Sequence, residues 1–178
     1  STAFATVIGG TLAAGSANAF NMAIESDRDR LMTRTASRPT AQQVISKKNS
    51  YIFATFVGII SLAIFQIFTN TLATLLTLFA IVFYVVGYTI ILKPNTSQNI
   101  VWGGIAGCMP VLIGWAAIEN KISSIAILFF LVVFFWTPPH FWALAIKHKN
   151  DYAAADFPML PLVAKPKSVV FQLWFHSI

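Results

Sequence analysis

The chain has 178 residues, of which 57% are apolar and only 10% charged, where a soluble domain carries about a quarter charged residues. A mean hydropathy of +0.71 leaves too little polar surface for a water-soluble fold, and 14% aromatic residues exclude disorder. The net charge of +6 therefore reads first as membrane topology and not as nucleic-acid binding.

Six apolar segments have the character of membrane spans, which need roughly 20 such residues. In chain order they are Ser1 to about Ile24, Tyr51 to Phe68, Leu72 to Leu92, Asn99 to Ile118, Ile122 to Ile146, and a last one from near Ser168 to Ile178. The runs are too long for strands and lack period-two alternation. Thr69–Thr71, with Asn70 at the turn, predicts a tight antiparallel pair. Ser1 lies within an apolar run with no initiator Met, so the expectation is a single integral-membrane domain over 1–178, truncated at both ends. A lone Cys108 excludes an intrachain disulfide.

The loops divide the charge unequally. The loop Glu25–Ser50, the loop holding Lys93, and Lys147–Lys167 fall on one side and contain eleven of the twelve Lys and Arg. The positive-inside rule makes this side cytoplasmic, and contact with anionic headgroups accounts for most of the bases. Acids barely influence orientation, yet five of the six share that side, as Glu25, Asp27 and Asp29 and then Asp151 and Asp156. Two acidic groups at one face point toward a common cavity.

Asn21, Glu25 and Asp29 are four apart, so steps of about 400° place them on one helical stripe, with Asp27 about 160° away. An amide and two carboxylates are hard oxygen donors suited to Mg²⁺, and Arg28, Arg30, Arg34 and Arg38 follow, with the geometry for phosphate. The spacing is equally that of a solvated helix end with ordinary ion pairs. Further on, Gly103-x-x-x-Gly107 predicts a close-packing face for another helix. Pro138 and Pro139 predict broken backbone, tolerated where it is buried in protein or lines a polar cavity. Phe129, Phe130, Phe134, Phe135, Trp136, Phe141 and Trp142 offer a wall for an apolar tail, or the aromatic packing of any membrane bundle. His140 is a candidate contact in a sparse polar setting, whereas His148 lies in a basic loop. Asp151 and Asp156, five apart, sit about 140° from one another on a helix.

Four strings of this chain, between Thr11 and Pro161, resemble the UbiA superfamily of intramembrane prenyltransferases. They are Asn21-x-x-x-Glu25-x-x-x-Asp29 with Met32-x-Arg34-Thr35 and Arg38-Pro39; Tyr88-Thr89 through Lys93, Thr96 and Asn99; Trp136-Thr-Pro-Pro-His140-Phe-Trp; and Asp151-Tyr152 with Pro158-Met-Leu-Pro161. The combination is similar to the branch that farnesylates haem. Departures are Glu25 for Asp, Asn150 where an acid is frequent, and Asp156 where Gly is usual. The resemblance implies an all-α polytopic bundle of nine transmembrane helices, about six present here, in a bacterial inner membrane with its cavity open to the cytoplasm. It implies transfer of a farnesyl group from farnesyl diphosphate to the 2-vinyl group of haem b, giving haem O for terminal oxidases. Mg²⁺ would be held by Asn21, Glu25, Asp29 and Asp151. Substrate contacts would come from Asn18, Arg34, Arg38, Tyr88, Lys93, Thr96, Asn99, His140 and Tyr152. Haem-pathway or oxidase-assembly proteins are the implied partners, and nucleic acid is not. The alternatives are a UbiA-type enzyme for a quinone or chlorophyll precursor, opposed by the Trp-Thr-Pro-Pro-His string, and a transporter or structural subunit. A transporter predicts acids at mid-bilayer depth, whereas these lie at helix ends.

Overall fold

A computed structural model describes residues 1–177, and every regular element among them is helical. In order these are α1 (Thr2–Ile24), α2 (Ser26–Asp29), α3 (Lys47–Phe68), α4 (Thr71–Val82), a π-helical stretch (Phe83–Leu92), α5 (Lys93–Asn95), α6 (Asn99–Glu119), α7 (Ser124–Lys147), α8 (Lys149–Ala154), α9 (Leu160–Val163) and α10 (Pro166–Ser177). Five stretches are long and apolar enough to cross a membrane: α1, α3, Thr71–Asn95, α6 and α7. The sixth expected segment forms α10, whose twelve residues rise about 18 Å, less than a bilayer's hydrocarbon core. Ile178 lies outside the described residues. The protein is an all-α polytopic membrane bundle.

Caps define the helix ends. The Ser46, Asn70 and Ser123 side chains accept from the backbone N–H groups of Asn49, Ala73 and Ala126 at the starts of α3, α4 and α7. Asn70 also donates to the carbonyls of Ala116 and Ala117, at 2.7 and 3.3 Å, tying the α3–α4 turn to the end of α6.

The tight turn is present, but α3 packs far more extensively along α1 than along α4. Small residues allow this. Ser16, Ser50 and Ser61 donate to the carbonyls of Ala54, Ala19 and Gly9 at 2.8, 3.2 and 2.7 Å. A Cβ placed on Gly58 would stand 2.8 Å from Ser16 Oγ, and one on Gly9 would stand 2.8 Å from the Phe65 ring. Lipid gives apolar helices no hydrophobic reason to associate, so close packing and such interhelical bonds must hold them.

Two expectations need correction. α7 runs unbroken through Pro138 and Pro139, with the Thr137 hydroxyl donating to Val133 O at 2.7 Å. A proline removes a donor and crowds one earlier carbonyl, which this helix accommodates without ending. Nor does Gly103-x-x-x-Gly107 form a single helix-packing face. Gly103 makes room for the Tyr88 ring, Gly104 lies against Thr137 of α7, and a Cβ on Gly107 would meet nothing within 4 Å.

Candidate active site

The α1 helix changes direction at Glu25, yet its hydrogen-bond register continues. Glu25 N–H donates to Asn21 O at 2.9 Å, and Asp29 N–H to Glu25 O at 2.8 Å. Asn21, Glu25 and Asp29 consequently share a buried face, while Asp27 is exposed and paired with Lys47 at 2.7 Å. Each buried carboxylate holds a cation. Lys93 Nζ lies 2.6 Å from Glu25 Oε2, and Arg38 Nη1 reaches both oxygens of Asp29 at 3.0 and 2.8 Å. Asn21 donates to Thr89 Oγ1 at 3.2 Å. Glu25 Oε1 is buried with no hydrogen-bond partner. An orphaned carboxylate oxygen beside a second carboxylate and an amide suits a hard divalent cation.

The π-helical stretch brings the opposing residues into place. In an α-helix, residues five apart diverge by about 140°, whereas a π-helix bonds i to i+5 and stacks them. Lys93 N–H thus donates to Tyr88 O, and Thr89 Oγ1 to Tyr84 O at 3.0 Å. Lys93 Nζ stands 5.9 Å from the centre of the Tyr88 ring, so Tyr88, Thr89 and Lys93 all reach the α1 stripe or its surroundings.

The second acidic segment folds over the first. Asp151 accepts from Thr33 N–H at 3.1 Å and from Arg34 N–H at 3.3 Å, and Arg34 reaches the Tyr152 hydroxyl at 3.5 Å. Desolvation pushes the Asp151 carboxyl up, but the Arg34 and Thr33 N–H groups and nearby His148 outweigh it and hold it below the ordinary range. Asp151 is therefore brought to the loop after Asp29 and not into a shared cluster. Among the described residues no three His, Cys, Asp or Glu side chains converge as a metal group. Phe157, buried at 2% exposure, has Lys93 Nζ 4.6 Å and the Arg28 guanidinium 4.8 Å from its ring centre. It belongs to an apolar cluster with Met32, Ile100, Trp142 and Val169 that binds the loops at this end of the bundle to α6, α7 and α10.

Asp156 is exposed, with φ of 54°. Its N–H bonds Ala153 O and that of Phe157 bonds Tyr152 O, the Schellman closure of α8, with the Tyr152 and Phe157 rings 6.4 Å apart. This left-handed position favours glycine and tolerates aspartate, and the exposed Asp156 lies outside the buried cluster of Glu25 and Asp29.

Other expected site residues stand apart. His140 lies on the exposed side of α7, its ring 4.6 Å from that of Trp136. Asn99 and Thr96 order the turn into α6, Asn99 Nδ2 donating to Thr96 O at 2.6 Å and Thr96 Oγ1 accepting from Gln98 N–H. Of the seven aromatic residues expected to form a wall, only Phe141 lines the cavity; Trp142 is fully buried against the loops near Met32 and Phe157, and Phe129, Phe135 and Trp136 are exposed. Tyr84 and Phe157 carry no signal in the sequence, while Arg28, expected at phosphate, lies over the Phe157 ring, and Thr89, part of the Tyr88–Asn99 string, bonds Asn21. The five-residue spacings Tyr84–Thr89 and Tyr88–Lys93 were visible, but carry meaning only in a π-helix.

The cavity, about 680 Å³, lies among α1, α4, the π-helical stretch, α6 and α7. Asn18 and Tyr88 stand at the end toward the charged cluster, and Thr6, Phe65 and Ile113 at the other. A cluster of paired charges thus stands above an apolar shaft within a helical membrane bundle, the architecture of an intramembrane protein with a buried polar site. The chain belongs to the UbiA prenyltransferase family, whose profile matches residues 1–178. It is 49% identical over 172 residues to protoheme IX farnesyltransferase 1 of Saccharopolyspora erythraea, covering 97% of this chain and 55% of that protein. Protoheme IX farnesyltransferases of Kineococcus radiotolerans and Renibacterium salmoninarum are 50% and 52% identical over 173 residues, covering 97% of this chain and 51% and 54% of theirs. The chain spans about half the length of the curated relatives it matches. No solved structure matches it.

Proposed function

We propose that the protein containing this chain transfers the farnesyl group of farnesyl diphosphate to the 2-vinyl group of haem b, in a bacterial inner membrane with the charged mouth on the cytoplasmic side. The names of the relatives supply the acceptor and the donor. The observation that carries the reading is the pairing of buried carboxylates and cations at the head of an apolar cavity.

Glu25 Oε1, Asp29 and Asn21 offer the oxygen donors that would hold Mg²⁺, with Asp151 on the facing loop. Mg²⁺, when bound, supplies charge that offsets the diphosphate. Lys93 and Arg38, released from Glu25 and Asp29 as the donor enters, turn toward the diphosphate, and Arg34 reaches it from the loop held by Asp151. Cations fixed around the leaving group stabilise the negative charge that develops as the allylic C–O bond breaks. Tyr88, between cations and shaft, presents its ring to the carbon becoming electron-poor. The acceptor's vinyl group is the nucleophile: the C–C bond forms as diphosphate leaves, and water adds to the cation left on the acceptor with loss of a proton, so no protein nucleophile is needed.

The test is haem O formation by the full-length gene product from haem b and farnesyl diphosphate, followed by mass. Chelation of Mg²⁺ is expected to abolish it and Glu25→Gln to lower kcat at least about a hundredfold. Full turnover by the variant after chelation would sink the metal assignment, and transfer to a quinone precursor in place of haem would sink the acceptor.

A further inference from the structure

Phe157 stands where three elements meet. It follows α8, and the turn at Asp156 together with the Phe157 N–H bond to Tyr152 O, 3.0 Å, fixes its backbone. Its ring is buried at 2% exposure. Lys93 Nζ, at the start of α5, lies 4.6 Å from the ring centre, and the Arg28 guanidinium of α2 lies 4.8 Å from it. The two cations therefore stand no farther apart than the sum of those distances. Arg28 is the exception among the four arginines. Arg38 holds Asp29, Arg34 reaches the Tyr152 hydroxyl, and Arg30 bonds Ala41 O at 2.7 Å. Among the described residues the half-buried Arg28 guanidinium has no ion pair and no hydrogen bond, and the Phe157 ring is its partner.

Glu25 answers Lys93 and Asp29 answers Arg38, which leaves Arg28 as a positive charge beside the cluster with no carboxylate of its own. A half-buried cation without an acid is poised for an anion from outside the chain. An acid at position 157 would neutralise Arg28 and compete with that anion. A benzene ring instead attracts a cation through its negative face without net charge, and leaves the N–H groups directed away from the ring free to donate. Side chains ordered beforehand need not be ordered on binding. We propose that Phe157 is a positioning residue for the diphosphate. It holds Arg28 ready as a cationic contact, and it keeps Lys93 at the mouth when Glu25 is given over to a metal ion. This rests on the diphosphate-donor reading above and adds to it Arg28, a cation that reading does not use, and the ring that places it.

The test is the affinity of the purified full-length protein for inorganic pyrophosphate, measured by calorimetry with Mg²⁺ present. Replacing Phe157 by phenylalanines carrying one, two and three ring fluorines weakens the negative face in steps at nearly constant size. Affinity should fall in that order, about fivefold by the third fluorine, with the unfolding temperature unchanged. Phe157→Leu keeps apolar bulk without a π face and should lose about tenfold, since Arg28 and Lys93 must then be ordered on binding. Arg28→Gln should also lose about tenfold in the wild-type background. Beside Phe157→Leu it should lose only about threefold, because the two act through one contact. Flat or rising affinity across the fluorinated series, or an equal loss from Arg28→Gln in both backgrounds, would overturn the positioning role. Pyrophosphate carries neither a prenyl tail nor an acceptor, so the result separates from haem O formation. Haem O made with flat affinities removes the role of Phe157 alone, and graded affinities without haem product remove the acceptor alone.

Discussion

Lys93 and Glu25 meet at 2.6 Å with only 14% and 5% of their side chains exposed. A buried pair is strongly destabilised when one partner is removed and close to neutral when both are replaced. Lys93→Met is therefore expected to lower stability by about 3–5 kcal/mol and Lys93→Met with Glu25→Leu by much less. Thermal unfolding of the two variants in detergent checks this, and equal losses would mean the ammonium does not compensate Glu25. Asp151 acts through backbone. Its folded-state pKa is depressed, so its contribution is present above the unfolded value of about 3.9 and disappears as pH falls through the folded one. Cleavage of the 30–46 loop by an acid protease should accelerate on that descent. In Asp151→Ala cleavage should be fast across the whole range, and a wild-type profile in that variant would remove the anchoring role.

At the scale of elements, the α1–α3 contact is the most extensive among the described residues, and Gly9, Ser16, Gly58 and Ser61 let the two backbones approach. Gly58→Val would drive a side chain into Ser16 and should cost about 1–3 kcal/mol. Ser61→Ala removes one interhelical bond and should cost about 0.6 kcal/mol. Unfolding midpoints for the two should differ in that order, and the reverse order would show that hydrogen bonding outweighs close packing. The π-helical stretch has a different office. It leaves Thr89 and Lys93 pointing at α1, which an uninterrupted α-helix of the same sequence would rotate away.

For the whole molecule, the charged residues divide into two roles. Eleven of twelve bases occupy one side, and Lys47 with Asp27 or Lys121 with Glu119 are exposed pairs of little energetic weight. Lys93, Arg38, Glu25 and Asp29 are the ones turned inward. Cys108, the chain's single cysteine, is buried, so single-cysteine reporters read cleanly. Lys149→Cys should react with a membrane-impermeant thiol reagent only from the cytoplasmic side and Lys121→Cys only from the other. Labelling of both from one side would overturn the topology.

Composition and run length alone determined that the chain is a helical membrane bundle, because a bilayer demands about 20 apolar residues per span and internally bonded backbone. The four-residue spacing of Asn21, Glu25 and Asp29 determined a shared face, since helical register depends on local geometry alone. Which partners those acids hold was not legible. Lys93 lies 68 positions from Glu25, and reaches it through a π-register that no local pattern announces. Asp151 was expected beside the other acids, and the backbone N–H groups of Thr33 and Arg34 took it instead. Phe157 and the shaft between Asn18 and Phe65 arise only when separate helices pack, because an aromatic residue or a glycine acquires its meaning from what stands opposite it.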